Sequence, residues 1–63
     1  MGRHEAIMRW EVTLTTTERE SLEFSNVETV DLYDDSLYIY VNEQPHFFKW
    51  ADLLSFKAIK VHL

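Results

Sequence analysis

Leu37-Tyr38-Ile39-Tyr40-Val41 is the stretch on which the fold turns. In an extended chain successive side chains point to opposite faces, so Leu37, Ile39 and Val41 share one face and Tyr38 and Tyr40 the other. Neither face is polar. One side of this strand therefore belongs in a core, and the other is aromatic surface that needs its own explanation.

Working outward, Asp34-Asp35-Ser36 supplies the short polar side chains of a turn before this strand, and Asn42-Glu43-Gln44-Pro45 supplies the next turn after it. His46 to Trp50 then predicts an aromatic-rich strand. Upstream, Met8, Trp10, Val12 and Leu14 alternate with Arg9, Glu11 and Thr13, the clearest strand pattern in the chain. Thr15 to Glu20 is polar and turns the chain. Leu22 and Phe24 begin another strand, and Val30 and Leu32 resume its even-numbered parity beyond Ser25-Asn26. Asparagine tolerates left-handed backbone, so these two pieces read as one strand bent or bulged near Asn26.

Downstream, Trp50, Leu53 and Leu54 fall at i, i+3 and i+4, which predicts one helical turn around Ala51 to Leu54. From Lys57 the period returns to two, with Ile59, Val61 and Leu63 on one side and Ala58, Lys60 and His62 on the other. The fold class expected is all-β. Five antiparallel strands form a meander that curls into an SH3-like barrel or sandwich, with one short helical turn before the last strand. Residues 1–7 are expected to be a flexible segment and residues 8–63 a single domain. The expected core is Trp10, Val12, Leu14, Leu22, Phe24, Val30, Leu32, Leu37, Ile39, Val41, Ile59 and Val61.

With 63 residues there is room for one core, since a chain of this size buries only about 60% of its unfolded surface. No cysteine is present, which excludes disulfide staples and Cys-based zinc sites. Two Trp, three Tyr and four Phe fill such a small core economically. Eleven acidic residues against six basic ones leave a net charge of −5, and no run of Lys or Arg occurs. Direct nucleic-acid binding is therefore not expected. The apolar runs are far shorter than the ~20 residues of a membrane span, and Met1 to Glu5 has no apolar signal region. A soluble, cytoplasmic protein is the expectation.

The residues that carry catalysis are scarce. Gly2 is the single glycine, so no phosphate-cradling loop exists, and there is neither a nucleophile elbow nor a cysteine nucleophile. His4, His46 and His62 have no ligand spacing, and a metal needs at least three converging donors. Asp34-Asp35 reads as turn chemistry, and Glu18, Glu20 and Glu23 as a solvated turn and strand face. No enzyme activity, cofactor or metal is expected.

What remains is the aromatic-acidic side of the sheet. Tyr33, Tyr38, Tyr40, Glu23 and Asp31 are the expected partner-binding residues, with Glu11 and Phe47 beside them, because tyrosine presents an apolar ring with a polar tip. The plainer alternative is that the N-terminal segment, Phe47 or Trp50 covers Tyr38 and Tyr40. The function expected is a non-enzymatic interaction or structural module that forms a homo-oligomer. Lys57 and Lys60 blunt the last strand against edge pairing, which favours the face as the contact. The alternative is a small acidic inhibitor or adaptor, of the type found among accessory proteins of bacteria and phages, that binds a basic surface on another protein.

Overall fold

The computed structural model describes residues 8–62, and the expected flexible segment 1–7 lies outside them. Strands β1 (Met8–Thr16), β2 (Ser21–Val27), β3 (Thr29–Leu32), β4 (Ser36–Val41) and β5 (Gln44–Lys49) are followed by a 3-10 turn (Trp50–Asp52) and β6 (Leu53–His62). They form two antiparallel three-stranded sheets, the first in the order β2-β1-β6 and the second in the order β3-β4-β5. The fold is all-β with one helical turn, as the alternating pattern predicts. Among the described residues the two sheets are open, and no closed barrel forms.

The bent strand is two strands. Trp10 pairs with Val27 and Val12 with Phe24, so Ser25 and Asn26 together oppose Glu11 alone. This is a β-bulge, and Asn26 takes a left-handed φ of 61° within it. The extra residue reverses the parity of the chain. Val27 consequently turns inward and is fully buried, although strict even-numbered alternation leaves it out of the core.

The buried residues are Val12, Leu14, Val27, Leu37, Ile39 and Val41. All but Val27 come from β1 and β4, the central strand of each sheet, because a central strand is covered on both edges as well as on its inner face. Around them pack half-buried side chains, Trp10, Leu22, Phe24 and Val30 among them. Aromatic contacts join the sheets at two places. Phe24 of β2 meets His46 and Phe48 of β5 at ring distances of 5.1 and 6.2 Å, and Trp50 meets Phe56 of β6 edge-on at 5.6 Å.

Two expectations about the core need correction. Leu32 ends the edge strand β3 and is 63% exposed. In β6 the inward side is the other parity. Val12 pairs with Ala58 and Leu14 with Phe56, which puts Phe56 and Ala58 against the core. Directly opposed residues share a face, so Ile59 goes outward with Glu11, and Val61 with Arg9. Apolar residues occupy both parities of this strand, and the choice between them is made by its pairing with β1. The fourth predicted strand also begins earlier, at Gln44, because Asn42 and Glu43 alone make the preceding turn.

This inverted parity is testable by paired truncations. Val27→Ala should cost about 2 kcal/mol of folding stability, from two lost methyl groups and a residual void. Ile59→Ala should change stability by less than about 0.5 kcal/mol, the usual range for an exposed site. Urea denaturation measures both, and equal costs would contradict the register of β6.

The Asn42-Glu43 turn gives a second test. Both residues have positive φ, 56° and 63°, the geometry of a two-residue hairpin turn that favours Asn-Gly. Left-handed backbone costs a residue with a Cβ about 1–2 kcal/mol. The greater freedom of glycine in the unfolded chain offsets about 0.4–1 kcal/mol of any gain from replacing it. Glu43→Gly is therefore expected to stabilise the fold by about 0.5–1 kcal/mol, read as a higher denaturation midpoint at unchanged slope.

Candidate functional site

The side chains of β4 alternate strictly between buried and half-buried, so Tyr38 and Tyr40 lie on the outer face of the second sheet. The two-residue turn pairs Val41 with Gln44, and the register then places Phe47 opposite Tyr38, Pro45 opposite Tyr40 and Lys49 opposite Ser36. On the other side of β4, Asp31 stands opposite Tyr38 and Thr29 opposite Tyr40. One row across the sheet therefore reads Asp31, Tyr38, Phe47.

The rings of Tyr38 and Phe47 pack at 4.8 Å with a tilt of 47°. Tyr38 and Tyr40 are half-buried, while Phe47 is 68% exposed. Phe47 thus covers part of Tyr38 and is itself left open to water. The rims differ in sign, with Asp31 on edge strand β3 and Lys49 on edge strand β5.

Tyr33 lies just past β3, in the turn to β4, and is 52% exposed. Its N–H donates to the Ser36 carbonyl at 2.8 Å. Trp50 clasps the same turn twice. Its Nε1 donates to the Tyr33 carbonyl at 2.7 Å, and its backbone N–H donates to the Asp35 carbonyl at 3.1 Å. Asp34 and Asp35 therefore sit in a hydrogen-bonded turn, as their residue types suggest.

The structure brings Asp31, Tyr38 and Tyr40 together on one face and sets Tyr33 at its end. Glu23 is elsewhere. It pairs with Thr13 on the first sheet, on the outer face that also carries Glu11. Lys49 and Pro45 belong to the tyrosine face although no sequence signal singled them out. The available clue was the turn, since two residues rather than four between β4 and β5 set the whole register of the hairpin.

Open grooves also mark the surface of the described residues. One, of about 450 Å³, lies between the β1–β2 turn, the end of β5 and the start of β6. Another, of about 460 Å³, lies beside the bulge and is lined by Arg9, Trp10 and Asn26 among others. Arg9 Nη1 donates to the Met8 carbonyl at 3.0 Å, and its buried Nε has no partner among the described residues. Among the described residues, no three His, Asp or Glu side chains converge as metal donors, and no helix is long and apolar enough to cross a membrane. Comparison with protein-family models, curated proteins and solved structures finds no match to this chain.

Proposed function

We propose that this chain is a non-enzymatic, cytoplasmic interaction module that self-associates through the outer face of its second sheet. The observation that carries this reading is Phe47, 68% exposed and packed at a tilt against Tyr38, the central ring of that face. Large rings left in water beside half-buried tyrosines are the usual core of a protein contact. A small domain gains most from such extra burial.

Charge favours a second copy as the occupant. The face has an acidic rim at Asp31 and a basic rim at Lys49, so it is complementary to itself. A two-fold axis along β4 lays β3 of one copy over β5 of the other. Asp31 then faces the Lys49 rim of the partner, offset by one pleat repeat of about 7 Å, a distance the lysine side chain spans.

The architecture reads as SH3-like in this proposal. The order β2-β1-β6 and β3-β4-β5, with one bulged segment serving both sheets and a helical turn before β6, supports that arrangement. A second reading, an acidic adaptor that captures a basic surface, draws on exposed Glu11 and Glu23 on the first sheet and on the net charge.

Analytical ultracentrifugation of variants separates these readings. Tyr38→Ser with Tyr40→Ser should sediment as a folded monomer where the native chain does not. Asp31→Lys should weaken association, and adding Lys49→Asp should restore it by swapping the rims. Glu11→Lys with Glu23→Lys should leave the mass unchanged. Native mass in the tyrosine double variant, or no rescue by the charge swap, would reject this face as the contact.

A further inference from the structure

The groove at the end of β5 has a feature that the tyrosine face lacks. Phe47, Phe48 and Lys49 all line it, and three consecutive residues of a strand can border one cavity only along the strand's edge. Among the described residues, β5 has a strand partner on its β4 side alone. The groove therefore runs beside main-chain N–H and C=O groups with no strand to pair with. Pro45, which lacks an N–H, sits at the other end of β5 and confines pairing to this end.

The opposite wall is held in place before any ligand arrives. Thr16 Oγ1 accepts from the N–H groups of Glu18 and Glu20 at 3.2 Å each, and the Thr17 N–H donates to the Asp52 carbonyl at 2.9 Å. These bonds fix the β1–β2 turn against the 3-10 turn. The groove's lining includes the half-buried Phe48 and Leu53 and the exposed Glu18, Glu20, Lys49 and Asp52.

We propose that this groove receives an extended, lysine- or arginine-bearing segment of another protein, added as a strand to the free edge of β5. Main-chain pairing supplies the affinity in this mode of recognition, and alternate side chains supply the specificity. Apolar side chains of the incoming strand go toward Phe48 and Leu53, and its cationic ones toward Glu18, Glu20 and Asp52. A second copy is the wrong occupant, since the chain carries eleven acidic residues against six basic ones. The groove shares Phe47 and Lys49 with the tyrosine face, whereas Glu18, Glu20 and Asp52 lie off that face, so substitutions at the acidic rim test this proposal without altering the self-association contact.

The test uses a fluorescein-labelled peptide of about eight residues that alternates lysine and valine, the length of an ordinary strand. Fluorescence anisotropy against the full chain should show saturable binding. A version with alternate amides N-methylated should not bind, because the pairing edge is blocked. Glu18→Lys with Glu20→Lys keeps both N–H groups that bond Thr16 and should weaken binding about tenfold. Hydrogen exchange should slow in the complex at the Phe47 and Lys49 amides, which the hairpin register turns away from β4.

Equal binding of the N-methylated peptide would show a diffuse charge attraction and overturn the proposal. So would unchanged affinity in the Glu18→Lys, Glu20→Lys variant, protection confined to β3 or β6, or no saturable binding.

Discussion

At Asn26 the backbone takes a left-handed turn, φ 61°, inside what is otherwise a single run of strand. The rest of the structure depends on that conformation. It inserts the extra residue that lets Val27 enter the core, and the chain leaves the first sheet for the second within two residues. The N–H of Glu28 already donates to the Tyr40 carbonyl of β4 at 2.9 Å. A residue with a branched Cβ strongly resists this backbone, whereas asparagine accepts it. One small polar side chain thus decides that two sheets, rather than one flat one, share the core.

The smallness of that core explains what lies outside it. Among the described residues six side chains are buried, nearly all from β1 and β4, and the sheets are otherwise joined by ring contacts such as Phe24 with Phe48 and Trp50 with Phe56. Tyr38 and Phe47 take no part in this. They pack at a tilt against each other on the outer face, leaving Phe47 open to solvent, and that unused aromatic area links the fold to the proposed contact. The edge of β5 is a second unsatisfied element of a different kind, made of main-chain groups rather than rings.

The all-β class, the break at Asn26, the turn at Asp34-Asp35-Ser36 and the helical turn near Trp50 were all legible as local chemistry. Tyr38 and Tyr40 were legible as outward residues because β4 has buried aliphatics at every alternate position. The side of β6 that faces inward was not, since Leu54, Phe56 and Ala58 compete with Leu53, Ile59 and Val61 on equal terms. Pairing with Val12 and Leu14 puts Phe56 and Ala58 inward, and the register shift between Thr15 and Thr16 then brings Leu53 rather than Leu54 against the core. Sequence parity groups Glu23 with the tyrosines because parity along one strand cannot show that the chain changes sheets just past a bulge. Lys49 is not legible as part of the face for a related reason, as its place there depends on the length of a turn that contains no glycine.

Amide chemical shifts followed through a dilution series of the native chain test the proposed contact face most directly. The account expects concentration-dependent shifts at Asp31, Tyr38, Tyr40 and Phe47, with Glu11, Glu23 and Ile59 on the first sheet unmoved. Shifts confined to the first sheet, or a spectrum that does not change with concentration and a monomeric mass throughout, would contradict it.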